Sequence, residues 1–417
     1  MIAALSGMPL FAPFQVRSFR FQFPADLLTS WGIEMENLVL GWYILVETGS
    51  VLLLSLFWAL QYLGTLLAPL FGMAGDRVSH RTILCTMRIV YALLGLLMTA
   101  LAASGALRPL YVFLVATASG LVRPSDQTMR NALIAETIPL HGLMPAMGIS
   151  RTTQDSARIA GALIGAGLFA VFGMGAVYVV ISLFYGGGFL LTLGVGGRRH
   201  RSGGIRPPAW RDLIDGLAYV WDTPVSLAAI WLALLVNLTA FPLTGGLLPY
   251  VAHNVYHMDQ TGLGTLVASF ALGSLLGSIA VSLIGRQLRP ARMMIVFALV
   301  WYAFLWAFAA MPEPASGRIA LVLAGLAQAL SLVPMSVLLL HSAGERYRGR
   351  VMGVRTLAIY GVPPGILIAG ALIDRIGFVA TVSVYCLVGS VLTAAIALRW
   401  RDALWPLTAP ANARAAS

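Results

Sequence analysis

The sequence contains no lysine: all 27 of its basic residues are arginine. That excludes chemistry needing a lysine amine, such as the phosphate-gripping lysine of a P-loop or a Schiff-base nucleophile. Any uphill work must draw on an ion gradient or on another chain. Charge of either sign is scarce, 10% of residues against about 25% in a soluble domain. Cysteine is nearly absent; Cys85 and Cys386 both fall in or beside apolar runs and imply no disulfide framework. No His-Glu-x-x-His, Gly-x-Ser-x-Gly or Cys-x-x-Cys pattern occurs, so an enzyme reading lacks a site and no cofactor is implied. His253, His257 and Asp259 have helical metal-ligand spacing, but two histidines without a third firm ligand assign no metal site.

What is abundant is apolar sequence: 59% of the 417 residues, with a mean hydropathy of +0.85. A soluble fold cannot absorb that surplus, because its surface must still be solvated; a bilayer can. The net charge of +11 would suggest nucleic acid on a soluble protein. Here the arginines flank hydrophobic segments, which points to topology and anionic headgroups and away from nucleic acid. Spanning about 30 Å of hydrocarbon takes ~20 helical residues. Runs of that size fall near 22–46, 50–74, 82–104, 109–128, 143–171, 175–196, 226–251, 262–285, 292–311, 317–341, 352–373 and 376–399. They are too long and too uniformly apolar for alternating barrel strands.

The fold expected is an all-α membrane protein of twelve transmembrane helices in two pseudo-symmetric six-helix bundles. The first covers 1–196 and the second 225–417, joined by a polar linker, 197–224, with Arg198-Arg199-His200-Arg201 and Pro207-Pro208. A stretch around Trp210–Trp221 is suited to lie on a membrane surface. Arginine clusters at Arg77 and Arg81, Arg198–Arg206, Arg286–Arg292, Arg346–Arg350 and Arg399 to Arg401 share one side, leaving Arg108, Arg318 and Arg375 on the other. That bias places both termini in the cytoplasm. Met1–Arg20 reads as a tail before the first span, not a cleaved signal. An internal repeat supports two halves. Leu63-Gly64-Thr65 and Leu272-Gly273-Ser274 are 209 positions apart, and Met147-Gly148 with Met352-Gly353, and Gly165-Ala166 with Gly370-Ala371, recur at a similar offset. A duplicated bundle with a site between its halves is the plan of a transporter of small solutes.

Between the second and third runs lies Gly72-Met-Ala-Gly-Asp76-Arg77-Val-Ser-His-Arg81. It resembles the cytoplasmic signature of the major facilitator superfamily, with Ser79 in place of the usual second glycine and His80 in place of a basic residue. Two further segments, Arg130-Asn-Ala-Leu-Ile-Ala-Glu136-Thr-Ile-Pro139 and Glu345-Arg346-Tyr-Arg348-Gly349-Arg350-Val-Met352-Gly353, resemble the branch of bacterial exporters that includes enterobactin and macrolide efflux proteins. The resemblance implies a monomer in the bacterial inner membrane that exports siderophores, antibiotics or other amphipathic small molecules in exchange for protons. It also implies a gating set of Gly72, Asp76, Arg77, Arg81 and Asp126, with Arg81 paired to Asp126. The branch's fifth-span antiporter pattern has Gly-Pro where this chain has Gly161-Ala162, which counts against antiport.

Charges inside a span cost about 2.5–3.5 kcal/mol each on insertion scales and are candidate functional groups. The first span offers Asp26, Glu34 and Glu36 as proton carriers, since a carboxylate taken out of water is easier to protonate. Asp26 and Glu34 are about 80° apart around a helix and are expected to share a cavity side, with Glu36 pointing elsewhere. Arg151, Asp155 and Arg158, at i, i+4 and i+7, form either a cavity network or a helix start with snorkelling arginines. Arg355 is read in the same two ways. Asn237, Gln328, Trp42, Tyr43 and Trp231 are candidate cavity walls or else packing groups. Facilitated or inward transport of a metabolite or lipid, and a non-transport sensor or intramembrane enzyme, stand as rival functions.

Overall fold

The computed structural model describes residues 9–65, 78–196, 209–284 and 289–405. Gly72, Asp76 and Arg77 lie outside these residues, as does most of the arginine-rich part of the linker. The chain is helical throughout, without strands among the described residues. In order, α1 is Arg17–Thr48, α2 Val51–Leu60 with a 3-10 turn at Leu63–Thr65, α3 His80–Ala103 and α4 Pro109–Thr137. The stretch Leu140–Leu193 turns at Gly173 into α5 (140–172) and α6 (174–193). Then come α7 (Pro224–Thr239), α8 (Gln260–Ile284), α9 (Pro290–Ala310), α10 (Pro314–Ser342), α11 (Tyr347–Ile376) and α12 (Phe378–Arg399).

Local chemistry sets the boundaries. Ser50 and Ser79 cap α2 and α3 by accepting from Leu53 and Thr82 amides at 3.3 and 3.2 Å. Asp259 caps α8, accepting from the Gly262 amide at 2.9 Å. Pro109, Pro224, Pro290 and Pro314 stand in first turns, where the missing N–H costs nothing. Seven described stretches, α5 with α6 counting as one, are long and apolar enough to span a bilayer on composition alone, and α2 is described over too few residues to qualify. The others fall short for readable reasons: α1 and α4 carry extra charge, and α7 gives way after Thr239 to short turns at Phe241–Gly245, Leu248–Tyr250 and Val251–Val255.

The helices alternate up and down, so the start of α1, the end of α12 and the helix Ala209–Asp222 share one end of the molecule. There, Arg81 at the start of α3 donates to the Leu193 carbonyl at the end of α6, and the Gly196 amide donates to Ser18 at 3.1 Å. At the opposite end, Tyr43 donates to Leu107 O and Tyr256 to Met311 O, both at 3.2 Å. The linker helix Ala209–Asp222, bent 111° from α7, rests against the second bundle. Tyr219 stacks on Tyr347 at 4.7 Å, and Arg350 lies 3.0 Å from Asp215. Ile214, Leu217 and Trp221 form its exposed apolar face.

The sequence repeat is a packing device. A Cβ on Gly64 would sit 2.1 Å from the Leu121 carbonyl oxygen of α4, and one on Gly273 would sit 1.9 Å from the Val322 oxygen of α10. Reciprocally, a Cβ on Gly120 would collide with Leu60 O and one on Gly325 with Phe270 O. The helix pairs α2–α4 and α8–α10 therefore touch backbone to backbone in matching ways. Because a carbonyl cannot swing aside as a side chain can, Gly325→Leu should cost about 3 kcal/mol or more, beyond the usual overpacking penalty. Unfolding in mixed micelles would measure it; a loss below about 1 kcal/mol would show that the α8–α10 seam yields.

Of the Gly165-Ala166 and Gly370-Ala371 repeat, Ala166 and Gly370 fall on seams between bundles, whereas Gly165 closes on Met35 of α1 within the first bundle. Gly264 of α8 closes on Ala166 and Ala162 of α5, with a notional Cβ 2.6 Å from Ala166 Cβ. Gly370 of α11 closes on Ser55 and Val51 of α2, 2.3 Å from Ser55 Oγ. Both seams lie toward the end opposite the start of α1. Toward the start of α1, Gly148 of α5 and Gly349 and Gly353 of α11 face open space. The close glycine contacts between the bundles thus lie toward one end of the molecule.

Candidate functional site

Three carboxylates on α1 meet three different environments. Asp26 is buried and accepts from Arg88 of α3, with Arg130 Nε of α4 at 3.7 Å. Arg88 is wholly buried and also donates to Thr192 Oγ1 and, at 3.3 Å, to Gly188 O of α6. Glu36 is buried against Arg123 of α4 and takes a hydrogen bond from Tyr185 of α6 at 2.7 Å. Arg123 donates as well to Asn37 at 2.5 Å and Gln61 at 2.9 Å. Glu34 alone of the three faces the space between bundles, 3.8 Å from Arg158 of α5, with side chains 28% and 45% exposed.

This corrects the expectation that Asp26 and Glu34 share a cavity side. Asp26 is drawn into the bundle by two arginines, whereas Glu34 is left at the open face. The expected pairing of Arg81 with Asp126 is also not made. Asp126 is buried with Arg130 Nε 2.5 Å from its Oδ2, a partner one turn along the same helix, and Arg81 spends its guanidinium on Leu193. Among the described residues, every buried charged side chain belongs to the first bundle; buried polar groups of the second bundle are uncharged.

A cavity of about 200 Å³ lies between the bundles. Its first-bundle wall holds Glu34, Asn37, Trp58, Tyr62 and Arg158; its second-bundle wall is mainly Phe241, Leu248, Pro249, Leu263, Val267 and Phe270. Trp58 and Thr244 line it, and Trp58 Nε1 and Thr244 Oγ1 are buried with no hydrogen-bond partner. One wall is polar and ionised, the other apolar. Arg158 alone of the predicted α5 trio reaches this cavity. Arg151 is largely exposed, 3.5 Å from the buried Asp155. Asn237 donates to Ala233 O at 2.8 Å within its own helix, and Gln328 is buried in α10; neither lines this cavity. Arg355 is half-buried without an ion pair among the described residues. Trp42 packs against His253, Tyr43 is bonded to Leu107, and Trp231 faces outward.

Sequence reading missed Arg88, the hub of the Asp26 cluster, although a charge inside the 82–104 run was signal enough. It missed Tyr185, Tyr62 and Trp58 because nothing in an apolar run tells which aromatic turns inward.

The family model described as Major Facilitator Superfamily matches residues 23–366. No curated protein matches the sequence. Among solved structures, a bacterial homologue of the human lysosomal transporter Spinster, inward-facing and unoccupied, superposes with a TM-score of 0.73 at 14% identity, over 95% of this chain and 99% of that one. The nucleoside transporter NupG gives 0.68 at 13%, over 94% and 100%. A D-xylose–proton symporter gives 0.69 at 11%, over 91% and 96%.

Proposed function

The chain belongs to the major facilitator superfamily and is a transporter rather than an enzyme, and on that premise we propose that it moves a small amphipathic compound by proton coupling, with Glu34 as the proton carrier. The observation that carries this reading is the state of Glu34. Asp26, Glu36 and Asp126 are buried and held by arginines of neighbouring turns or helices, so protonating any of them would disrupt the bundle. Glu34 is held loosely, at 3.8 Å, and opens on the cavity. A proton can come and go there while the helices stay packed. An amphipathic solute fits the cavity's two unlike walls.

Outward transport is the direction favoured by the exporter-like segments Arg130–Pro139 and Glu345–Gly353. The arginine bias supports a cytoplasmic placement, in a bacterial inner membrane, for the end that holds the starts of α1 and α3. A periplasm-active phosphatase fused after Arg206 should therefore be silent; activity there would reverse the orientation.

Inward co-transport is the second reading, favoured by the Glu34–Arg158 contact. A proton on Glu34 releases Arg158 to hold an acceptor group of the solute, so proton and solute bind together and travel together. Vesicles separate the two. With an acid interior, everted vesicles should accumulate the solute under exchange; right-side-out vesicles in acid medium should do so under co-transport. Solute movement indifferent to either gradient, with membrane potential clamped, would sink proton coupling and leave plain facilitation.

A further inference from the structure

Beside the Glu34–Arg158 pair lies a second cavity, about 170 Å³, built entirely from α1, α4 and α5. We propose that this cavity binds an oxyanion: the carboxylate, phosphate or sulfonate end of an amphipathic solute whose apolar part occupies the larger cavity. The inference rests on the transport reading above and deepens it by giving the charge of the cargo. The volume equals about six waters, which suits a headgroup and not a whole amphipath.

The lining is rich in donors. Arg123, Arg130 and Arg158 contribute guanidinium groups, and Gln127, Gln154 and Ser30 contribute neutral polar ones. Several of these donors are unspent. Arg130 is 3% exposed, yet its Nη2 has no hydrogen-bond partner, and neither has Nε of Arg123. Gln154 makes no side-chain hydrogen bond among the described residues, whereas Gln127 donates to Asn131 at 3.1 Å. Buried N–H groups without acceptors are costly, and a small turn of either guanidinium toward the cavity would let oxygen atoms of an anion satisfy them. Three carboxylates oppose an anion, one of them Glu36, which lies outside the lining and is already paired with Arg123. Asp126 is neutralised by Arg130 at 2.5 Å, although its Oδ1 is unpartnered; Glu34 opposes only while charged. A cationic head would instead face three guanidinium groups. Because Glu34 and Arg158 line both cavities, head and body of one molecule can occupy them together.

The test is calorimetric binding to the full-length protein in nanodiscs of zwitterionic lipid. The probes are hexyl phosphate, hexyltrimethylammonium, hexanol and inorganic phosphate. Hexyl phosphate should bind about tenfold or more tightly than the cation, the alcohol or inorganic phosphate. Arg158→Gln should weaken hexyl phosphate by about tenfold while leaving hexanol unchanged, and Arg158→Lys should restore part of the loss. Gln154→Leu, which disturbs no bond, should weaken the same probe alone. Competition by a phosphatidic acid in the disc would assign the head to a lipid, and lack of competition to a water-soluble solute; either supports the site. Equal binding of the cation or alcohol, or indifference to both substitutions, would overturn the anion site; inorganic phosphate binding as tightly as hexyl phosphate would overturn the shared occupancy. The two proposals fail separately. Glu34-dependent proton flux evoked only by neutral or cationic solutes would remove the anion site and keep the transport reading. Anion binding with no solute-evoked proton flux in proteoliposomes would do the reverse.

Discussion

Arg88→Leu should destabilise the protein by about 3–5 kcal/mol, the cost of stranding one member of a buried ion pair. Arg88 ties α3 to Asp26 of α1 and to Thr192 and Gly188 of α6, and is wholly buried. Without it, Asp26 keeps only Arg130 at 3.7 Å, and Arg130 is already committed to Asp126. The double variant Asp26→Asn with Arg88→Leu should recover a large part of the loss, since neither charge is then left alone in a low-dielectric core. Unfolding in mixed micelles of the parent, both single variants and the double variant gives the coupling. If Arg88→Leu costs less than about 1 kcal/mol, or the double variant is as unstable as the single, the pair is not what holds α1, α3 and α6 together.

The fold was legible because it depends on run length and spacing. Apolar runs of about twenty residues and a repeat near half the chain follow from bilayer thickness and from backbone contact at matching glycines. Gly64 with Gly273 could be picked out by offset alone, and both fall on matching helix seams; the offset also pairs Gly165 with Gly370, yet Gly165 packs on Met35 inside the first bundle and Gly370 on Ser55 between bundles. The site was legible only in part. Helical spacing fixed the angles among Asp26, Glu34 and Glu36, but not which of them faces the cavity. That phase is set by Arg88, Arg123 and Arg130 on other helices, and no pattern within α1 encodes it. The Arg81–Asp126 expectation failed for a related reason: a motif resemblance cannot weigh a distant partner against Arg130, one turn away on the same helix. Arg158 was placed on the right face, yet its separation from the Arg151–Asp155 pair needed the position of Glu34.

The most direct test of the account is gradient-driven transport by Glu34→Gln in proteoliposomes. Glutamine keeps the shape and can still accept from Arg158, but it cannot cycle a proton. The residue is partly exposed and loosely paired, so the bundle should fold as before. The account predicts that the accumulation ratio driven by an imposed pH gradient falls about tenfold or more, the size of a typical coupling free energy, while downhill exchange of solute across the same membrane persists. Asp26→Asn should lose stability more than coupling, because Asp26 is buried among arginines. If Glu34→Gln vesicles accumulate solute against its gradient as well as the parent does, Glu34 is not the proton carrier and the central claim fails.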